Sequence, residues 1–209
     1  MKSEKKVLNK ENRKKWILLL ILLIPFISII LIVTFRHTYA PTNEEILEKI
    51  KDIDAYTVKA EYTIKNSKGE YKEETKMYYC KDVGMRIDFG QDRVKIYKDG
   101  FISMKDNGDE YELKDNFDSV YPLSFYNLLL SNEIKEIKEE TEDWGDKKYL
   151  EVSIDLPGSN EHISTAKLYI LKDDIAPIVL KIFDKKDIER VSIAYSDFEE
   201  QKDMDKSLF

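Results

Sequence analysis

The stretch TVKAEYTIK at residues 57–65 alternates strictly between apolar and polar side chains. Val58, Ala60, Tyr62 and Ile64 share one face of an extended chain, and the polar residues between them share the other. This pattern predicts a β-strand with one buried and one solvated face. The fold is therefore expected to contain an antiparallel sheet that packs its apolar face against a core.

Segments of the same kind follow at close spacing along the chain. A turn signal, NSKG at 66–69, joins the first stretch to EYKEETKMYYC, so the two segments predict a β-hairpin. The later strand-like runs are GMRIDF, DRVKIY, FISMKD, EYEL, KYLEVSIDLPG, AKLYILKD, PIVLKIFDK and ERVSIAYSDF. Short turns such as KDG and NGD separate several of them, which is typical of an antiparallel meander.

Two segments have helical instead of alternating periodicity. In residues 42–53, Thr42 or Asn43 can cap a helix, and apolar residues recur at helical spacing. In residues 121–134, YPLSFYNLLLSNEI, Pro122 stands at a helix start and apolar residues follow with a helical period. The order of elements predicts an α+β fold: a strongly curved antiparallel sheet, an open half-barrel, packed on two helices.

The concave face of an open half-barrel either forms an ordinary core or lines a lipid-sized cleft. The residues predicted to face this side, and so to line such a cleft, are Val58, Tyr62, Ile64, Leu150, Val152 and Ile154. Both interpretations require inward-facing apolar side chains, so the sequence pattern is compatible with either.

The N-terminal region contains a run of 19 residues without a charge, at 17–35. A helix of that length is about 28 Å long, which matches the hydrocarbon core of a bilayer. Residues 1–16 carry seven Lys or Arg against two Glu, and Trp16 stands where an interfacial aromatic would lie, so the N-terminus is predicted to be cytoplasmic. A cleaved signal peptide, with TYA at 38–40 before the cut, is the alternative.

Five parts of the chain follow from this pattern. They are a basic cytoplasmic tail at 1–16, a transmembrane anchor at 17–36, a juxtamembrane linker at 37–42, an extracytoplasmic domain at 43–200 and a C-terminal tail at 201–209. The chain has a net charge of −7 despite its basic tail, so the remainder is strongly acidic. Such a surface repels phosphate backbones, and nucleic acid is not an expected partner.

Residue types that build common catalytic sites are scarce in this chain. It contains two histidines, His37 and His162, and a single cysteine, Cys80, which are too few for a zinc site or a hydrolytic triad. Carboxylates are abundant, but 36% of the residues are charged, and runs of charge are usually solvated faces. We therefore predict a protein that is not an enzyme and has neither cofactor nor metal.

The acidic segment EETEDWGDKKY contains a tryptophan surrounded by charge. Aromatic side chains in such surroundings are common anchors of protein interfaces. The predicted interface residues are Trp144, Asp143 and Glu142. Burial of the tryptophan at the open end of the sheet is the alternative.

The segment at 168–200, LYILKDDIAPIVLKIFDKKDIERVSIAYSDFEE, resembles the end of proteins with the LolA/LolB-like lipoprotein-carrier fold. The shared features are a strand that ends in an acidic turn, a proline that opens the next strand, an aspartate in the following turn and aromatic residues in the last strand. Here they are Asp173, Asp174, Pro177, Asp184, Tyr195 and Phe198. Within that superfamily, the composition and single-domain layout are most similar to the clostridial germination lipoprotein GerS and its relatives.

The resemblance implies a non-enzymatic role in spore formation and germination, in which the protein binds and supports a peptidoglycan amidase that modifies the cortex. A lipid- or lipoprotein-binding carrier or sensor with an apolar cleft is the alternative. A lipoprotein needs a cysteine directly after its signal region, and residues 17–60 contain none. We therefore expect the transmembrane helix to be the anchor in place of a lipid.

Overall fold

The computed structural model of the protein describes residues 2–38, 41–114, 118–140, 147–158 and 160–209. The chain forms two compact units, Met1–Thr42 and Asn43–Phe209. The first unit consists of helix α1, Lys2–Thr38. Its segment Lys14–Thr34 is long and apolar enough to cross a membrane.

The second unit begins with helix α2, Asn43–Lys51. Glu44 and Glu45 lie in its first turn and lysines lie in its last turn, an arrangement that complements the helix dipole. Ile46 and Ile50, four residues apart and so on one face, are completely buried. The helix therefore packs this apolar face into the core, as its periodicity predicts.

Within the described residues, eleven strands form a single antiparallel sheet. Their bounds are β1 Ala55–Asn66, β2 Gly69–Cys80, β3 Gly84–Phe89, β4 Arg93–Lys98, β5 Phe101–Asp106, β6 Asp109–Lys114, β7 Glu133–Glu140, β8 Tyr149–Asp155, β9 Thr165–Leu171, β10 Ala176–Phe183 and β11 Glu189–Glu200. The order across the sheet is β6-β5-β4-β3-β2-β1-β11-β10-β9-β8-β7. The first strand therefore lies at the centre, paired with both the second and the last.

The sheet curves because several strands contain β-bulges. Register shifts occur at Thr57/Lys59 in β1, at Pro177/Val179 in β10 and at Ile134/Glu136 in β7. Bulges bend a strand and increase its twist. Strands β6 and β7 remain at the two edges and do not pair with each other, so the sheet is an open half-barrel, and the predicted α+β fold class is confirmed.

The concave side of the sheet is covered by α2 and by a segment that connects β6 to β7. This inner segment, residues 120–131, contains a 3-10 helix, Tyr121–Ser124, and a one-turn helix α3, Tyr126–Leu129. Phe125, Tyr126 and Leu129 are completely buried in the central core. The inner segment therefore supplies much of the apolar surface that fills the half-barrel.

The prediction of one continuous helix over 121–134 is wrong in its length. Phe125 has extended backbone angles, φ −83° and ψ 107°, and separates the 3-10 helix from α3. From Glu133 the chain instead enters β7, where Ile134 and Ile137 pair with Ile154 and Val152 of β8. Pairing with β8 satisfies the backbone of this segment, and tertiary context overrides its local helical pattern.

Candidate functional site

The concave face of the sheet has two halves that differ in chemistry. The apolar half, formed by β1 and β7–β11, presents side chains such as Leu150 and Leu168, which are completely buried. The polar half, formed by β2–β6, includes Glu73, Arg93 and Lys95 among its inward-facing residues. Charged groups at inward positions of a sheet are costly unless they are paired, so the polar half is the candidate functional site.

One ion pair of the polar half connects β4 to the inner segment. Lys95 Nζ lies 2.7 Å from Asp118 Oδ2, and both side chains are largely shielded from solvent, with exposures of 15% and 10%. The Tyr97 hydroxyl donates to the same carboxylate oxygen at 2.7 Å. The other oxygen, Oδ1, accepts from the backbone amides of Val120 and Tyr121. Asp118 therefore attaches the start of the inner segment to β4.

A second ion pair lies beside the first, between Arg93 on β4 and Glu73 on β2. The Tyr121 hydroxyl donates to Glu73 Oε2 at 3.0 Å. The guanidinium carbon of Arg93 lies 4.2 Å from the centre of the Phe89 ring, and Lys95 Nζ lies 4.2 Å from the centre of the Tyr121 ring. Cations placed over aromatic faces are stabilised by the ring quadrupole, so the two cations are held by both acids and rings.

The surroundings keep the tyrosines of this cluster neutral. Burial, together with the charge of Asp118, raises the pKa of Tyr97 far above its ordinary value. Burial and the charge of Glu73 raise the pKa of Tyr121 in the same direction. Both hydroxyls therefore remain hydrogen-bond donors to carboxylates throughout the physiological pH range.

The inner segment is fixed to the apolar half by its serine. Tyr62 donates to Ser124 Oγ at 2.7 Å, and Tyr195 donates to the Ser124 carbonyl oxygen at 2.7 Å. All three residues are buried. Burial raises the pKa of Tyr62 and of Tyr195 well above the ordinary value, so these donors also stay protonated.

Asn127 connects the inner segment to the end of α2. Its side-chain amide nitrogen donates to the carbonyl oxygen of Lys51 at 2.9 Å and shares its second N–H between those of Ile53 and Ile50, at 3.3 and 3.4 Å. These carbonyls lie at a helix C-terminus, where backbone acceptors lack partners within the helix. The inner segment is thus attached to the sheet through Asp118, which binds its first amides, and to α2 through Asn127.

An open groove of about 940 Å³ lies at one end of the polar half. It is bordered by the turn between β2 and β3, the turn between β4 and β5, and the inner segment. Phe101 and Leu128 contribute apolar surface and are 44% and 42% exposed. Lys81, Asp82 and Lys98 contribute charge. This mixture suits a polypeptide better than an acyl chain.

Two smaller grooves lie on opposite faces of the sheet near its β6 edge. The groove on the concave side has a volume of about 300 Å³ and is lined by Ile102, Met104 and Leu113 together with the start of the inner segment. The groove on the convex side has a volume of about 570 Å³ and includes Glu110 and Glu112. The edge strand β6 therefore lies between two grooves that each combine apolar and charged side chains.

The residues predicted to line a cleft lie in the interior of the half-barrel. Five of them, Val58, Tyr62, Leu150, Val152 and Ile154, are at most 1% exposed and belong to the central core. Ile64 is partly buried and packs against that core. Their role as a cleft lining stays a prediction.

The other residues singled out by the sequence do not gather at one site. Trp144, Asp143 and Glu142 lie outside the described residues. His162 lies exposed in the loop between β8 and β9, and Cys80 is buried at the end of β2. No group of three or more metal-ligating side chains occurs in the part of the chain that the structure describes.

The charged cluster of the polar half is the feature that sequence reasoning missed. In β4, RVKIYK, the apolar Val94 and Ile96 suggest the inward set, whereas the structure directs Lys95 and Tyr97 inward. The register of the β4–β5 hairpin indicates which side chains of β4 face inward. A two-residue turn after β4 pairs Tyr97 with Ile102 of β5, which places Tyr97, and hence Lys95, on the buried face.

Together, the curved open sheet, the filled concave side and the open grooves define an α+β half-barrel protein. The chain belongs to the sporulation protein YdcC-like family, whose model matches residues 13–209. No curated protein matches the chain.

Solved structures similar to this chain include the GerS and LolA-superfamily proteins that the sequence resemblance indicated. One chain of the Clostridioides difficile CwlD amidase in complex with the GerS lipoprotein is 23% identical, with a TM-score of 0.46, over 78% of this chain and 99% of that one. The LolA superfamily protein NE2245 from Nitrosomonas europaea is 12% identical, with a TM-score of 0.44, over 81% and 98%. A chain of the Pseudomonas aeruginosa MucA/MucB complex is 12% identical, with a TM-score of 0.45, over 78% and 59%.

Proposed function

We propose that this protein is a membrane-anchored, non-enzymatic binding module of the cell envelope that acts in spore formation. The filled concave side is the observation that carries this conclusion. Phe125, Tyr126 and Leu129 of the inner segment occupy the interior, and the accessible grooves lie outside it and carry charge. Such surfaces favour recognition of another protein.

The N-terminal helix provides the anchor in this proposal. Its apolar segment Lys14–Thr34 is long enough to span a bilayer. The basic residues before it favour a cytoplasmic N-terminus, and the sheet domain is then extracytoplasmic. The family match begins at residue 13 and so includes the apolar segment.

A peptidoglycan amidase is the proposed partner class. Membership of a sporulation family and the sequence resemblance to GerS support it. In this role the domain would hold the enzyme near the membrane and stabilise its active form, and the chemistry would belong entirely to the partner.

A lipid- or lipoprotein-binding carrier or sensor is the alternative function. An acyl chain bound on the concave side would have to displace the inner segment. That movement would break the bonds of Ser124 to Tyr62 and Tyr195 and those of Asn127 to α2. Breaking these buried hydrogen bonds would cost free energy, so we favour the protein-binding function over the carrier function.

The test is capture of the full chain from membranes of sporulating cells. The chain carries a C-terminal affinity tag, is cross-linked before solubilisation, and is examined by native mass spectrometry. The control is a fusion in which residues 1–42 anchor an unrelated domain. Recovery of an amidase with the full chain and not with the control is the expected result.

Two other results would overturn the proposal. Recovery of the same proteins with the full chain and the control would remove the support for a binding module. A lipid retained in stoichiometric amount would instead favour the carrier function.

A further inference from the structure

We propose that β6 is a docking edge, at which an extended segment of the partner protein adds to the sheet as a further strand. The segment that fits this edge alternates apolar side chains with Lys or Arg. This inference rests on the proposed binding function and specifies how the partner is held.

The two edges of the sheet differ in how open they are to pairing. All six residues of β6 are exposed, and its pairing with β5 is continuous, without a register shift. At the other edge, β7 contains a bulge at Ile134/Glu136, and Lys135 there is paired with Glu133 and Asp155. A bulge in an edge strand opposes the addition of another strand. Of the two edges, β6 is therefore the one that can accept a strand.

The register of the β5–β6 hairpin shows which backbone groups of β6 are free. The turn residues Asn107 and Gly108 have positive φ angles of 50° and 95°, as in a two-residue hairpin turn, and the flanking pair Asp106/Asp109 closes it. Hydrogen-bonded and non-hydrogen-bonded pairs then alternate along the strand. The N–H and C=O groups of Glu110 and Glu112 consequently point to the open edge, where an added strand would bind them.

The concave side of this edge favours apolar side chains on the added strand. Tyr111 and Leu113 pair with Met104 and Ile102 of β5 and face the concave side. They are 44% and 39% exposed, although Ile102 beside them is buried. Apolar residues opposite Tyr111 and Leu113 would cover this surface and extend the core beyond the present edge.

The convex side favours cations. On β6 the residues Glu110, Glu112 and Lys114 face it, and the two glutamates line the groove of about 570 Å³ together with Arg86 and Lys105. Glu110 forms an exposed ion pair with Lys105 at 3.0 Å, whereas Glu112 has no ion pair within the described ranges. Lys or Arg residues opposite these two carboxylates would complete cross-strand pairs of opposite charge.

A second copy of this chain fits the edge less well than a basic partner. If two β6 strands pair antiparallel with their concave faces on the same side, one register of large overlap places Glu110 opposite Glu112 twice, and the other places Glu112 opposite Glu112 while Glu110 faces Lys114. Like charges directly opposite one another destabilise a sheet. The acidic edge is therefore suited to a partner of opposite charge.

The test uses a fluorescent hexapeptide of alternating lysine and valine, flanked by glycines, as the probe of the full chain in detergent micelles. A peptide with glutamate in place of lysine is the comparison. We expect the lysine peptide to bind with an affinity that falls as salt is added, and the glutamate peptide not to bind. Equal binding of the two peptides would overturn the inference.

A backbone variant separates strand addition from general attraction between opposite charges. Glu112→Pro removes an N–H that points to the open edge and leaves the pairing with β5 intact. Glu112→Ala removes the same charge but keeps the N–H. We expect about tenfold weaker peptide binding by the proline variant than by the alanine variant. Equal affinities of the two variants would contradict strand addition.

Amide hydrogen exchange gives an independent readout that does not depend on variants. Binding of the lysine peptide should slow exchange in residues 109–114. If exchange slowed in the turn between β2 and β3 and stayed unchanged in residues 109–114, the peptide would be bound in the groove of about 940 Å³ and the inference would be refuted.

The same variants distinguish a failure of this inference from a failure of the proposed function. Capture of an envelope enzyme by both the wild-type chain and Glu112→Pro would refute docking at β6 and leave the binding function standing. Capture by neither chain would count against the binding function. The peptide affinities would then still decide whether β6 accepts a strand.

Discussion

The two halves of the sheet bury their concave faces by different means. In the apolar half, Leu150, Leu168 and Leu180 are completely buried, and apolar packing dominates the face, with the Tyr62 and Tyr195 hydroxyls bonded to Ser124. In the polar half, Lys95 and Arg93 face inward and are held by acids and aromatic rings. Burial of apolar area thus dominates one half, and in the other half, where Met77 and Ile87 are also buried, it is supplemented by a set of mutually dependent polar contacts.

The largest effect should come from truncating a side chain in the apolar half. Leu168→Ala would leave a cavity at a completely buried position, and we expect it to lower the free energy of unfolding by about 2–5 kcal/mol. Urea denaturation of the full chain in detergent micelles, monitored by far-UV circular dichroism, measures this loss of stability.

The matched control is the same substitution at the exposed edge of the polar half. Leu113 is 39% exposed, so Leu113→Ala should cost less than about 1 kcal/mol. Similar costs at the two positions would mean that Leu168 is not as tightly packed as its burial indicates.

A smaller effect is expected from breaking the polar cluster. Asp118→Ala removes the partner of Lys95 and of the Tyr97 hydroxyl, and we expect a loss of about 2–3 kcal/mol, because a shielded cation is left unpaired. The comparison is Lys105→Gln, which breaks an exposed ion pair and should change stability by less than about 1 kcal/mol.

A double-mutant cycle sharpens this prediction. Adding Lys95→Met to Asp118→Ala removes the unpaired cation and should recover part of the lost stability. Strictly additive losses would show that Lys95 and Asp118 do not depend on each other.

The smallest effect concerns the turn between β10 and β11 in the apolar half, and it depends on pH. Asp184 accepts from the backbone amides of Lys186 and Ile188 and from the Arg190 guanidinium. These hydrogen bonds hold the pKa of Asp184 below its ordinary value, and the bond from the Ile188 amide has the largest effect, ahead of those from Arg190 and Lys186. Its stabilising contribution is therefore complete above the unfolded-state pKa of about 3.9 and is lost as the pH falls through the lower folded-state pKa.

Asp184→Asn should therefore be less stable than the wild-type chain at neutral pH, with a difference that narrows below about pH 4. Asp187→Asn, in the same turn at a residue with a φ of 61°, is the control, because asparagine tolerates that conformation. Urea unfolding midpoints of the wild-type chain and the two variants, measured from neutral to acidic pH, test this pH dependence. A difference that stays constant down to the lowest pH would be the contrary result.

The sequence was sufficient to predict every strand except β7. Alternation in segments such as 57–65 shows which side chains share a face, and short turns indicate antiparallel neighbours. Helix α2 was predicted for the same reason, since Ile46 and Ile50 recur at helical spacing. These features are local, and each is visible within a dozen residues.

The polar cluster and the inner segment could not be predicted in this way, because both depend on contacts between distant parts of the chain. Asp118 and Lys95 are 23 residues apart, and Glu73 reaches Tyr121 across 48. Whether residues 133–140 form a helix or a strand was decided by the presence of β8, which lies beyond them in the sequence. Periodicity alone contains no information about such partners.

The central position of β1, between β2 and β11, has a consequence for biosynthesis. The strands β1–β6 can pair with sequence neighbours as they are made, but the other side of β1 has to wait for Glu189–Glu200, more than 120 residues later. Until then, the nascent protein exposes an unpaired strand beside an incomplete core and is open to aggregation. Loss of the last strand, by premature termination or proteolysis, would consequently divide the sheet through its middle and not merely shorten it at an edge.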